Sequence, residues 1–217
     1  MCGRYSLAAP NPAYLRERFA LGDEAPLEPR FNIAPGQDAV TVTTDRSGEP
    51  RPDLLRWGLV PHWSDSPKTG YKMINARAET IEDRSAFRDA LATRRCLVIA
   101  DGFYEWQPRE HVAKQPWWVT RSGGEPFAFA GLWAEARRED GSTVHSCTIV
   151  TCEPGEVVAP IHDRMPVILR QEDEADWLDP ETGEERLQAL LAPTDDLAVT
   201  EVSDAVNDFS GTGAVAG

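Results

Sequence analysis

The sequence predicts an α+β fold: a single domain with a curved or barrel-like, mostly antiparallel β-sheet core and several flanking helices. Three observations carry that prediction. Short apolar or alternating runs recur between Gly- and Pro-bearing turns, the pattern of a meandering sheet. Helix-forming patterns are few, and they do not alternate with the strands as a βαβ sheet requires. A chain of 217 residues suits one well-buried core.

The elements follow in order. Asn11-Pro12 ahead of Tyr14, Leu15 and Phe19 predicts a capped helix, with Asn as N-cap and Pro in the first turn. Val40 and Val42 alternate with threonines, as on a half-buried strand. Phe87 and Leu91 stand four apart within a helix over 84–94. Leu97 to Ile99, Trp117 to Thr120, Phe127 to Ala130 and Thr148 to Thr151 read as strands. Residues 171–191 return to a helical pattern with Trp177, Leu187, Leu190 and Leu191 as apolar contacts, and Leu197 to Val202 suits a last strand. The domain is expected to span 1–203, followed by a flexible tail over 204–217.

Composition narrows the function classes. No run of about 18 apolar residues and no secretory leader pattern is present, so a soluble, cytoplasmic chain without membrane partners is expected. Four cysteines, at 2, 96, 147 and 152, form no CxxC pair and are too sparse for a disulfide scaffold, which fits reduced thiols. Cys96 and Cys147 read as core residues. Zinc ligation by His145, Cys147, Cys152 and His162 is not expected, because His145 and Cys147 alternate along a strand. No metal or cofactor is expected, and the chain reads as a monomer.

The net charge of -14 argues against a polyanionic partner until its location is considered. Residues 1–170 hold 21 basic and 23 acidic side chains, whereas 171–217 hold one and 13. Of the 22 basic residues 19 are arginine, whose planar fork suits phosphate. A local arginine-lined groove is compatible with this distribution.

Chemistry starts at Met-Cys-Gly-Arg-Tyr. Removal of Met1 leaves Cys2 with a thiol and a free α-amine two carbons apart. An amine condenses with an aldehyde to an imine, and a neighbouring thiol then closes a five-membered thiazolidine. With ordinary pKa values of about 8 and about 8.5, both groups are partly available near neutrality. The same dipeptide opens N-terminal-nucleophile amidohydrolases, in which the amine serves as base for the thiol. Five further segments combine polar side chains with strand or turn signals: Arg30-Phe-Asn-Ile-Ala-Pro-Gly36, Trp57-Gly-Leu-Val-Pro-His-Trp63, Ile74-Asn-Ala-Arg-Ala-Glu-Thr80, Ala100-Asp-Gly-Phe-Tyr-Glu-Trp106 and Ile161-His-Asp-Arg-Met-Pro166.

Six such segments in this order over the first 170 residues resemble the SRAP family, the SOS response-associated peptidases regarded as abasic-site processing proteins. The resemblance implies a single SRAP-like domain that binds single-stranded DNA containing abasic sites. It implies that Cys2 forms a covalent thiazolidine crosslink with the ring-opened sugar aldehyde, protecting the site in the DNA damage response. Peptidase activity (self-removal of Met1) and lyase activity accompany it. Cys2, Asn75, Glu105 and His162 match the family's catalytic positions. Glu105, set between Tyr104 and Trp106, suits a general acid; His162 suits proton transfer at the imine; Asn75 holds nucleophile and sugar without titrating. Arg4, Arg77 and Arg164 correspond to positions facing phosphates, Pro35 and Trp63 to positions under exposed bases, and Thr151 to a contact near the sugar. The chain departs from some members at Ser64, where they carry a second tryptophan. Two enzymatic alternatives stand beside this reading: a cysteine peptidase acting on proteins, and an amidohydrolase, although the latter's usual Asn-Gly dipeptide is missing. A third is plain single-strand binding without covalent chemistry.

Overall fold

The computed structural model of the chain describes residues 2–9, 11–45, 47–64 and 66–208, Pro67 without its side chain. Thirteen strands and four helices are found there: β1 (Tyr5–Leu7), α1 (Pro12–Arg18), β2 (Arg30–Ile33), β3 (Asp38–Thr44), β4 (Pro50–Trp57), β5 (Asn75–Arg77), α2 (Ser85–Thr93), β6 (Arg95–Ala100), β7 (Gly102–Gln107), β8 (Gln115–Arg121), β9 (Phe127–Arg137), β10 (Thr143–Cys152), β11 (Met165–Pro166), β12 (Ile168–Leu169), α3 (Glu174–Leu178), α4 (Glu184–Leu190) and β13 (Leu197–Glu201). Short 3-10 turns lie at Pro67–Lys72, Ala78–Thr80, Gln171–Asp173 and Asp204–Asn207.

Five strands close into a barrel. β4, β3, β6, β9 and β10 pair antiparallel in that order, and β10 returns to β4 in parallel through Ser146↔Arg56 and Cys147↔Trp57. Closure removes the exposed edges that an open sheet leaves. β5 and β11 add to β10, and β12 adds to β9. A second, antiparallel sheet runs β13-β8-β7-β1-β2. The expected α+β fold with a barrel-like, mostly antiparallel core is thus observed.

The barrel explains why its inner strands are apolar on both faces. Every residue of β6, Arg-Cys-Leu-Val-Ile-Ala, is buried, since one face lines the barrel and the other meets helices or the second sheet. Gly131 on β9 is required by the resulting closeness: a Cβ there would sit 2.8 Å from Cys96 Sγ and 2.9 Å from Val98 Cγ2. Between the two sheets Tyr5, Trp57, Phe103, Phe127 and Phe129 pack edge to face, with centroids 5.2–6.1 Å apart. Arg95 is the charged residue of β6. Its guanidinium is spent on carbonyls at helix ends, donating to Trp177 O at 2.6 Å, Leu91 O at 2.5 Å, Ala92 O at 3.1 Å and Asp179 O. These bonds satisfy the last turns of α2 and α3 together.

The Asn11 cap forms as expected, its side chain accepting from Tyr14 N at 3.2 Å. The 84–94 helix appears as α2, and each strand read from the sequence is present, with β9 and β10 longer than expected. The helical stretch 171–191 breaks into a 3-10 turn and two short helices, because Asp179-Pro180 and Gly183 interrupt it. Strands β2, β5 and β11 lie inside segments read only as polar motifs, β7 runs one residue past such a segment, and β1 and β4 each share a single residue with one. The expected boundary at 203 is followed by a 3-10 turn, Asp204–Asn207. Val206 is fully buried against Tyr104 and Val202, and its carbonyl accepts from Arg4 and Asn32. The rest of the expected tail, 209–217, lies outside the described residues. Among the described residues no helix is long and apolar enough to cross a membrane, and no three His, Cys, Asp or Glu side chains are grouped to hold a metal ion.

Candidate active site at the N-terminal cysteine

The N-terminal strand delivers Cys2 to the interior. β1 is sandwiched between β2 and β7, with Tyr5 opposite Phe103 and the Tyr104 amide donating to Arg4 O at 3.0 Å. Continuing this register backwards brings Cys2 alongside the outer half of β7, where Glu105 sits opposite Trp117. Cys2 is fully buried, and its thiol contacts Arg4 O at 3.7 Å. Asn75, the first residue of β5, donates from Nδ2 to the Cys2 carbonyl at 2.8 Å. Its position is set by the parallel pairing of β5 with β10, Asn75 opposite Ile149. The Asn75 Oδ1 atom is buried and has no hydrogen-bond partner among the described residues. An acceptor held in that state is ready for a donor from a bound molecule.

Glu105 is 1% exposed in the middle of β7. Burial pushes its carboxyl from 4.5 up to about 7. A carboxyl poised there both gives and takes a proton near neutrality. Facing it, His162 Nε2 lies 3.7 Å from Glu105 Oε2. His162 closes a turn in which its amide donates to Val158 O at 3.0 Å. Partial burial and the positive amino terminus lower its pKa, so the ring is neutral at pH 7. The Arg164 amide donates to Nδ1 at 3.0 Å, which puts the proton of the neutral ring on Nε2, toward Glu105. Asp163 Oδ1 is also 3.0 Å from Nδ1, on a side chain almost wholly in solvent, and opposes the downward shift.

The thiol behaves differently. Burial, and then the charge of Glu105, hold the Cys2 pKa far above its ordinary value. At neutral pH it is a protonated thiol. In such a pair of nucleophiles the amine acts first, and sulfur adds once an acceptor for its proton is at hand.

The family resemblance had already set Asn75 against the nucleophile; the fold puts its amide on the Cys2 carbonyl and brings Glu105 and His162 together. The expected DNA-facing residues separate into groups. Arg4 is half-buried and donates to Val206 O at 3.0 Å. Arg77 is exposed at the end of β5, opposite Thr151. Trp63 is 56% exposed, and Pro35 is half-buried in the turn closed by Gln37 N to Ala34 O at 3.1 Å. Thr151 is fully buried, and its hydroxyl lies 3.4 Å from Arg164 Nη2. Arg164 forms a two-pronged pair with Glu79, both contacts 2.8 Å, and donates to Thr151 O at 2.7 Å. The pair holds Glu79 below the usual carboxylate range.

Glu79 and Asn32 are the residues that sequence reasoning passed over. Glu79 pairs with an arginine that was read as facing phosphate, and Asn32 donates to Val206 O at 2.9 Å and Asp208 O at 3.1 Å, docking the C-terminal turn beside Arg4. Both lie within the quoted motifs, so the available signal was a polar residue beside each named one.

Residues 1–209 match the family model described as SOS response associated peptidase (SRAP). The chain is 41% identical over 213 residues to abasic site processing protein YoqW of Bacillus subtilis, spanning 95% of this chain and 94% of that protein. It is 30% identical over 224 residues to abasic site processing protein YedK of Escherichia coli, spanning 99% and 97%. Among solved structures, a protein from Bacteroides thetaiotaomicron superposes with a TM-score of 0.84 over 95% of this chain and 97% of that one, at 23% identity. A phage-related protein from Bordetella bronchiseptica gives 0.73 at 32% identity over 93% and 94%.

Proposed function

The chain belongs to the SOS response associated peptidase (SRAP) family, and from that footing we propose that it processes abasic sites in single-stranded DNA by crosslinking to them through Cys2. The relatives named as abasic site processing proteins support the substrate class. The observation that carries the chemistry is the convergence of an N-terminal aminothiol residue, an amide on its carbonyl, and a raised-pKa carboxyl facing a neutral histidine.

The reaction follows from those groups. After Met1 is removed, the Cys2 amine attacks C1′ of the open-chain sugar to give a carbinolamine. Glu105, protonated at its raised pKa, supplies the proton with which hydroxide leaves as water, producing an iminium and a Glu105 carboxylate. That carboxylate accepts the thiol proton as sulfur bonds to the iminium carbon. The sum is aldehyde plus aminothiol giving thiazolidine plus one water. Asn75 fixes the Cys2 backbone during both bond formations. His162 assists proton transfer at the imine and its reversal, with the lone Nε2–H directed at Glu105. Arg4, Arg77 and Arg164 flank the lesion on the phosphate side, Thr151 bracing Arg164 from below. The acting species is a single chain, working where the cell keeps its DNA.

The hydrolase activity in the family's name is assigned here to self-removal of Met1. A peptidase working on other proteins would have to deprotonate a thiol that burial holds in its protonated form.

The test is a denaturing gel of purified protein with single-stranded DNA bearing one abasic site. A heat-stable band is expected whose mass equals DNA plus Met1-free protein less one water. It vanishes with Cys2→Ala and with undamaged DNA. Wild-type protein lacking Met1 that gives no band would sink the proposal and bring peptide hydrolysis forward.

A further inference from the structure

We propose that Tyr71, with Arg56 beside it, forms a second stacking platform for an intact base flanking the abasic site, on the Pro35–Gly36 side of the site. The inference rests on the reading that single-stranded DNA is the substrate and extends it to a position that no motif marks.

Three observations meet at this spot. Tyr71 is 56% exposed, as exposed as Trp63 eight residues before it. Ser64, which follows Trp63, turns inward, its hydroxyl 2.7 Å from Thr69 Oγ1. Among the described residues of the 58–74 connection, Trp63 and Tyr71 are the large hydrophobic side chains that face solvent, beside the imidazole of His62. The turn's hold on the barrel comes from elsewhere, since Leu59 N donates to Met73 O at 3.1 Å and Trp57 Nε1 donates to Ile74 O at 2.9 Å, and the exposed ring is not needed to anchor it.

Charge supplies the second observation. Arg56 lies 5.8 Å from the Tyr71 ring centre and donates to its hydroxyl at 3.4 Å. Lys68 and Lys72 flank the tyrosine on the same exposed turn. Residues 56–72 thus hold Arg56, Lys68 and Lys72 against Asp65 alone, in a chain of net charge -14. Among the described residues none of these three cations makes an ion pair. Free cations beside an exposed ring match a nucleotide, with base on the ring and phosphate on the charges.

Continuity with the candidate active site is the third. The turn carrying Tyr71 runs directly into β5, whose first residue is Asn75. On its other side the tyrosine hydroxyl stands over Gly36. A Cβ on Gly36 would lie 2.7 Å from that oxygen and 3.1 Å from Arg56 Nη2, and φ at Gly36 is +90°, where side chains are strained. Glycine at 36 thus lets the ring lie against the turn bearing Pro35, one residue from a position expected under a base.

The test uses the full chain carrying Cys2→Ala, so that binding is read without crosslinking, and measures fluorescence anisotropy with intact and abasic single-stranded oligonucleotides. Adding Tyr71→Ala is expected to weaken both by about 5- to 100-fold, the range for loss of one stacked base. Tyr71→Phe keeps the ring and restores most of the affinity. Arg56→Ala lowers the slope of log affinity against log salt by about 0.7. In chains with Cys2 intact, Tyr71→Ala slows crosslinking at limiting DNA and leaves the rate at saturating DNA unchanged. Unaltered affinity in Tyr71→Ala, with the parent binding normally, would overturn the platform and leave the crosslinking reading in place. A parent that binds no single-stranded DNA would overturn both, and the exposed ring would then be sought in a protein interface.

Discussion

Replacing Glu105 with glutamine is expected to make the protein more stable and less active, by amounts that depend on pH. Burial raises the Glu105 pKa from 4.5 to about 7. The folded protein therefore keeps this proton after the unfolded chain has released it. Stability associated with the group is fully present below pH 4.5, declines by about 1.36 kcal/mol per pH unit above it, and is lost by the time pH has passed 7. The accumulated loss is about 3 kcal/mol. Glutamine has nearly the same shape and does not ionise. Glu105→Gln is thus expected to exceed wild type in unfolding free energy by up to about 3 kcal/mol at pH 8, with the advantage gone at pH 4.5. Urea unfolding of both proteins at pH 4.5, 6, 7 and 8 reads this directly, because other titrating groups largely cancel in the difference. Crosslinking moves oppositely. Without a proton to give, the variant slows by about 10²-fold or more, and the wild-type rate falls as pH rises through 7. A stability difference equal at pH 4.5 and 8, or a variant less stable than wild type at pH 8, would refute the claim that burial holds this carboxyl's pKa up.

Further predictions rest on single contacts. Asn75→Ala removes the donor on the Cys2 carbonyl; we expect about 1 kcal/mol lost in urea unfolding and a drop of about 10²-fold in single-turnover crosslinking, since misplacement of a nucleophile is costly. Glu79→Gln releases Arg164 from its two-pronged partner, and titration of single-stranded DNA at several salt concentrations is expected to show tighter binding at low salt with the slope steeper by about 0.7. Unchanged slopes would mean that Arg164 serves only to brace Thr151. Val206→Ala trims the side chain that seats the C-terminal turn against Tyr104, and thermal unfolding is expected to register about 1–2 kcal/mol lost. It also loosens the carbonyl that holds Arg4, so DNA affinity changes with stability.

The amino-acid order by itself fixed the local features. Asn11 and Pro12 determined where α1 begins, alternating valines and threonines determined β3, and the spacing of Phe87 and Leu91 determined the buried face of α2, since each depends on neighbours within a few residues. The order of the six motifs also named the four residues at the centre of the candidate site, and Cys2 declared its chemistry because an aminothiol needs no partner to define it. Pairing distant segments was beyond that reach. Parallel closure of β10 onto β4 joins residues about 90 apart, and together with the helices and second sheet outside the barrel it buries both faces of β6. Burial decided the rest. It raised Glu105, held the Cys2 thiol protonated, and sank Thr151 beneath Arg164. It left Tyr71 in solvent beside Arg56. A carboxyl on an alternating strand has the same sequence signature whether it faces water or a sealed interior, and its pKa follows from the solvent removed around it, which is a property of the assembled fold.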